Sequence, residues 1–158
     1  MAETPTDPTA PASPGERPRP RVRFSMTLEG QPALVTGANS GIGRAVALGL
    51  AASGADVIVN YVVDASVAED VAHEVETMGR KAMTLKADVS MEDDVQSMFT
   101  KAVDHFGTLH IVVSNAGLQR DAEIHEMTLE QWNKVIGVNL TGQFLCAREA
   151  VRERGEAL

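Results

Sequence analysis

The run Thr36-Gly37-Ala38-Asn39-Ser40-Gly41-Ile42-Gly43 constrains this chain more than any other stretch. It follows a short apolar segment, Ala33-Leu34-Val35, and opens a helical pattern from Arg44 to Ala52. Strand, glycine turn and helix in that order form the setting in which such glycines accept a dinucleotide pyrophosphate. Gly37 allows a tight turn, Gly41 lets backbone N–H groups approach phosphate, and Gly43 lets the helix pack closely on the strand. The helix N-terminus adds unpaired N–H groups and a dipole that favours an anion. A turn joining strand to helix with no ligand is the plainer reading of the same glycines.

From residue 33 onward strands and helices alternate. Asp56–Tyr61 reads as a second strand, Lys81–Ala87 as a third and Leu109–Ser114 as a fourth. Between them lie amphipathic segments. Ser66 to Glu69 has capping-box spacing, and Val67, Val71, Val75 and Met78 recur at helical intervals up to Gly79. Ser90 is placed to cap the next helix, whose apolar stripe is Val95, Met98, Phe99, Ala102, Val103 and Phe106, closed by Gly107. Thr128 to Gln131 forms another capping box, with Leu129, Trp132, Val135 and Ile136 behind it and Trp132 expected in the core. A last helix runs from about Leu140 to Arg154 with Phe144, Leu145 and Val151 facing inward. Apolar strands between amphipathic helices imply an α/β fold: a Rossmann-like, doubly wound parallel sheet covered on both faces.

The first 25 residues differ from the rest. They hold six of the seven prolines and the interleaved Arg17-Pro18-Arg19-Pro20-Arg21-Val22-Arg23. Proline at that density removes helix and ladder donors, and few apolar groups are present to bury, so a disordered tail is expected at 1–25 with Met26 as an alternative start. Residues 26–158 form one domain by length. The net charge of −8 disfavours nucleic acid as a partner. The single Cys146 precludes an internal disulfide and fits a reducing compartment. No apolar run is long enough for a membrane span and no secretory leader pattern is visible, so a cytoplasmic location is expected. The four histidines show no metal-ligand spacing, and no metal site is assigned.

Four features stand in register over roughly residues 28–152. Thr36 to Gly43 matches a T-G-x-x-x-G-x-G signature. Asn115-Ala116-Gly117 at the end of the fourth strand matches an N-A-G motif. Asp88-Val89 after the third strand and Asn139-Leu140-Thr141-Gly142 also match by type and order. The chain thereby resembles the short-chain dehydrogenase/reductase family, and in wording it is most similar to bacterial glucose 1-dehydrogenases and ketoacyl reductases. The resemblance implies sheet order 3-2-1-4, ended after about four strands, and a nicotinamide cofactor. Thr36, Gly37, Asn39, Ser40, Gly41, Ile42 and Gly43 would surround the pyrophosphate. Asn60 and Tyr61 would lie near the adenosine ribose, Asp88 and Val89 at the adenine, and Asn115, Ala116 and Gly117 near the nicotinamide ribose. Asn139 would loosen its helix and hold a water in a proton relay. Asp88 can equally cap the turn before Ser90, and Asn139 can be a plain helix cap.

The choice between NAD and NADP is open, with a slight lean to NAD. The second strand ends in Asn60-Tyr61 rather than the acid that bonds a ribose 2′-hydroxyl. Equally, Val62 and Ser40 stand where a base would attract a 2′-phosphate, and Arg44 lies nearby on a helix.

The family's hydride transfer between an alcohol or carbonyl carbon and nicotinamide uses a tyrosine, a lysine four residues later and a serine. Tyr61 is the only tyrosine, and Ala65 stands four residues beyond it. Asn139 alone of the catalytic set has a match, so the resemblance covers the cofactor half. Expected partners are a nicotinamide dinucleotide and, once completed by the other half, a small alcohol or carbonyl compound. A fourth strand without an outer neighbour exposes unpaired backbone, and self-association through that edge or the last helix is expected. The rival readings are a nucleotide-binding or interaction module without turnover, and a truncated gene product.

Overall fold

The computed structural model describes residues 27–155; the Pro/Arg-rich tail and Met26 lie outside the described residues. The elements follow the expected alternation: β1 Ala33–Val35, α1 Gly41–Ala52, β2 Val57–Tyr61, α2 Ala65–Thr77, β3 Ala82–Lys86, α3 Glu92–Phe106, β4 Ile111–Val113, α4 Leu129–Ile136 and α5 Gly142–Gly155. A five-residue π-helical segment, Gly137–Thr141, joins α4 to α5. The four strands form one parallel sheet in the order β3-β2-β1-β4. This is the Rossmann-like arrangement expected from the sequence.

Side chains alternate across the sheet and divide the core in two. Val35, Val57 and Val59 pack with Ala47 and Ala51 of α1 and with Ala68, Val71 and Val75 of α2. Leu34 and Ile58 face the other way and pack with Val95, Met98 and Phe99 of α3 and with Leu145 and Cys146 of α5. Cys146 is fully covered, and that burial raises its thiol pKa despite a hydrogen bond with Ser114. β4 pairs only with β1 among the described residues, and its three residues are half-buried. Among those residues no helix is long and apolar enough to cross a membrane.

Several local expectations need correction. The α2 helix starts one residue before Ser66, after Asp64 in a left-handed conformation (φ 60°), and no side-chain cap forms. The first position of the expected box therefore falls inside the helix. Val67 is exposed, and Ala68 takes its place in the apolar stripe with Val71 and Val75. Ser90 does not cap α3, because its hydroxyl and N–H both donate to Asp88; Met91 occupies the cap position. Three acids, Glu92, Asp93 and Asp94, instead complement the dipole of the first turn. The Thr128/Gln131 capping box is present as expected.

Trp132 is 53% exposed and outside the core, and no residue of α4 is buried. Phe144 and Val151 are likewise exposed. The inward stripe of α5 runs through Gly142, Leu145, Cys146 and Glu149, which share one helical face. Glu149 is buried because Arg148 and Arg152 both reach its Oε1, at 3.0 and 2.9 Å. A buried acid interrupts the apolar pattern, and that interruption is why the neighbouring face reads as the inner one.

Candidate functional site

The C-terminal ends of the strands carry the motif residues, the usual ligand side of an open α/β sheet. After β1 the chain turns at Gly37 (φ 60°) and Gly41 (φ 55°) into α1. Gly43 shows why its position excludes a side chain. A Cβ there would sit 2.2 Å from the Gly37 carbonyl oxygen and 2.5 Å from Asn115 Nδ2. At Gly41 a Cβ would meet nothing within 4 Å and would project into open space. The two glycines thus differ in purpose: one permits helix-to-turn contact, the other combines a left-handed backbone with an unobstructed loop. Ser40 is extended at the head of α1, its side chain makes no cap bond, and the first turn contains no acid. The N-terminal N–H groups and their positive dipole end are therefore available to an anion.

The turn is held from two neighbouring strands. Thr36 Oγ1 accepts the N–H groups of Asn115 and Ala116, each at 2.9 Å. Asn115 Nδ2 donates to the carbonyls of Thr36 and Gly37, at 2.9 and 3.3 Å. From the other side, Asn60 Oδ1 accepts the Gly37 N–H at 3.1 Å, and Asn60 Nδ2 donates to the Leu85 and Ala87 carbonyls. Asn39 Nδ2 donates to the Val63 carbonyl at 3.3 Å, tying the loop to the end of β2.

A cleft of about 630 Å³ joins these segments. Of the predicted site residues, Gly37, Asn39, Ser40, Ile42, Gly43, Asp88, Val89, Asn115, Ala116 and Gly117 line it. Thr36 and Gly41 support or form the same loop without lining the cleft. Asn60 is fully buried, and its amide is committed to backbone in β1–β2–β3, so it braces the glycine turn and is not exposed to a ribose. Tyr61 is half-buried against the α1–α2 side of the core. The end of β2 reaches the cleft through Val62 and Val63 instead. Both follow the strand directly, where a ligand-side position was readable.

Asp88 sits on the opposite wall. Partial burial by itself would raise its pKa, but hydrogen bonds from the Ser90 hydroxyl and N–H, together with the Lys134 ammonium, outweigh burial and hold it below the ordinary carboxylate value. Val89 beside it is buried, and its side chain lies where a Cβ on Gly142 would come within 2.8 Å. Asn139 lies within the π-helical segment; its Oδ1 accepts the Leu118 N–H and its Nδ2 donates to the Leu118 carbonyl, both at 2.9 Å. That amide therefore fixes the chain just after Gly117. Leu118, Arg120, Lys134 and Val138 also line the cleft and went unpredicted. Arg120, three residues past the N-A-G motif, was within reach of a reading by position. Lys134 was not, because only the fold brings α4 against the end of β3.

Comparison with known proteins gives this geometry a family. The short chain dehydrogenase family model matches residues 31–156. A trihydroxynaphthalene reductase of Pestalotiopsis fici is 42% identical over 135 residues, which is 85% of this chain and 48% of that protein. A short-chain dehydrogenase from Burkholderia cenocepacia, solved in complex with NADP, superposes with a TM-score of 0.78 at 36% identity, over 80% of this chain and 51% of that one. A short-chain type dehydrogenase/reductase from Mycobacterium marinum gives 0.77 at 36% identity, over 83% and 52%. The chain belongs to the short-chain dehydrogenase/reductase family. It spans about half the length of these relatives.

Proposed function

We propose that this chain is the cofactor-binding part of an oxidoreductase that moves a hydride between a nicotinamide dinucleotide and an alcohol or carbonyl carbon. The observation that carries this reading is the glycine turn. It presents the acid-free N-terminus of α1 to the same cleft that Asp88 and Val89 wall on one side and Asn115–Gly117 on another. A cleft of about 630 Å³ suits a ligand of cofactor class. The pyrophosphate would lie on the loop N–H groups from Ser40 to Gly43, the adenine between Asp88 and Val89, and the nicotinamide ribose beside Ala116 and Gly117. The nicotinamide, when bound, supplies or accepts the hydride; the residues of this chain bind it, orient it and hold the loop beneath it.

NAD is proposed ahead of NADP. The nearby cation of α1, Arg44, is bonded to Glu74 of α2, and Val62, Val63 and Asp64 follow β2 without a base to receive a 2′-phosphate. Likeness in wording to glucose 1-dehydrogenases supports a polyol or sugar as the reducing substrate, in the cytoplasm. The 158 residues contain no Tyr-x-x-x-Lys. Turnover by this chain alone is therefore not expected, and Asn139 is assigned a positioning role toward Leu118. Exposed Leu140, Phe144 and Val151 near and along α5 support self-association.

Competition between NAD and NADP for the purified chain, followed by nicotinamide absorbance after glucose is added, tests these points together. Preferential NAD binding without turnover is expected. Preference for NADP would overturn the cofactor assignment, and reduction of either nucleotide would overturn the non-turnover assignment.

A further inference from the structure

Most arginines of the described residues are spent on carboxylates. Arg44 pairs with Glu74, Arg80 with Glu29, Arg148 with Glu92 and Glu149, and Arg152 with Glu149. Arg120 differs. Among the described residues no carboxylate lies within ion-pair reach of it, and its Nη1 donates only to the neighbouring Gln119 carbonyl, at 2.9 Å. The other N–H groups of its fork remain available. Arg120 also stands at a border. It lines the cofactor cleft with Gly117 and Leu118, and it lines an adjoining groove of about 940 Å³ against the start of α4. The chain is anchored two residues earlier, where Asn139 bonds both the N–H and the carbonyl of Leu118. Across the groove, the Thr128 hydroxyl already accepts the Gln131 N–H and Glu130 sits in the first turn, so the head of α4 does not attract an anion. Lys134, the other cation common to both cavities, lies 3.5 Å from Asp88 and is balanced by it. Arg120 is thus the unbalanced positive charge where the two cavities meet.

We propose that Arg120 binds an anionic group, a carboxylate or a phosphate, on the alcohol or carbonyl compound that meets the nicotinamide. The inference rests on the hydride-transfer reading given above, in which Gly117 lies beside the nicotinamide ribose. Three residues span at most about 11 Å, so Arg120 stands within the length of a sugar acid or sugar phosphate from that ribose. Its planar fork of donors matches either oxyanion through two parallel bonds. On a chain of net charge −8 an anionic compound is repelled over most of the surface, and an unbalanced cation at the cleft supplies the local attraction. A neutral sugar gains nothing from it.

The test is titration of the full chain, first with NAD and then, saturated with NAD, with gluconate, glucose 6-phosphate and glucose, followed by ligand-observed NMR. Saturation covers the head of α1, so an anion cannot score there. The unaltered protein is expected to bind at least one of the two anionic probes about tenfold or more tighter than glucose, as hydrogen bonds to a charged group warrant. The stronger of the two identifies the group as carboxylate or phosphate. Arg120→Gln should bring that probe to within about threefold of glucose, and Arg120→Lys should recover part of the difference, since a point charge remains without the fork. Equal binding of glucose and both anions by the NAD-loaded protein, no binding of any probe, or an unchanged ratio in Arg120→Gln overturns the proposal while the cofactor site stands. A loss in Arg120→Gln that falls on NAD rather than on the anionic probes places the guanidinium on the dinucleotide and overturns it as well. Failure of the unaltered, folded protein to bind NAD overturns the dinucleotide reading, and this inference falls with it.

Discussion

Thr36 and Asn115 hold each other across β1 and β4: the Asn115 N–H donates to Thr36 Oγ1 and the Asn115 side-chain amide donates to the Thr36 carbonyl, both at 2.9 Å. The same hydroxyl accepts the Ala116 N–H. Two motifs that lie 79 residues apart in sequence are thus one structural unit. Thr36→Val keeps the shape of the side chain and strands two N–H groups. A loss of about 2–4 kcal/mol in urea unfolding is expected, with Thr36→Ser close to the unaltered protein. Equal stability of the Val and Ser variants would contradict the assignment.

The two glycines of the turn separate folding from binding. Gly43→Ala forces a methyl group against the Gly37 carbonyl and the Asn115 amide, and should cost about 3 kcal/mol of stability. Gly41→Ala meets no atom within 4 Å, so its folding cost is the left-handed backbone alone, about 1–2 kcal/mol. Its added methyl stands beside the proposed pyrophosphate. A folded Gly41→Ala protein with strongly reduced nucleotide affinity is expected; full affinity would place the phosphates elsewhere.

Asn60 offers a test of bracing against ligand contact. Asn60→Ala leaves the Gly37 N–H and the Leu85 and Ala87 carbonyls without their partner. A stability loss of about 2–4 kcal/mol is expected even without nucleotide. Asn60→Asp should also destabilise, since a carboxylate cannot donate to the two carbonyls. If Asn60→Ala lowered affinity and left the unfolding midpoint unchanged, the residue would be a ligand contact.

Asp88 also predicts a pH dependence. Its folded-state pKa is depressed, so its contribution to stability is present above the unfolded carboxylate value of about 4 and is lost as pH falls through the lower folded value. The difference in unfolding free energy between the unaltered protein and Asp88→Asn should be constant above about pH 5 and shrink below about pH 4. A difference that grows on acidification would reverse the sign of the interaction with Ser90 and Lys134.

Much of the fold was legible because apolar strands, glycine stops and the Thr128/Gln131 cap act locally. The register of the outer helices was not. Trp132, Phe144 and Val151 look like core by type, yet the inward face of α5 carries Gly142 and Glu149, whose burial depends on Val89 and on two arginines. At the site, the glycine loop, Asp88 and Asn115–Gly117 were readable from motif and position. Asn60 was placed beside the adenosine ribose because it stands where an acid would bond the ribose hydroxyl; its bracing role was not legible, since the three backbone groups that bond its amide come from distant segments. The Asp88–Lys134 contact joins residues 46 apart in sequence, and only the packing of α4 shows it.

The central claim is that the N–H groups at the head of α1 grip a dinucleotide diphosphate. Calorimetric titration of the purified, folded chain with NADH tests it most directly, with Gly41→Ala as the paired control. One site per chain, lost or strongly weakened in the control, is the expected result. No heat from a chain shown to be folded, or equal binding by the control, would contradict it.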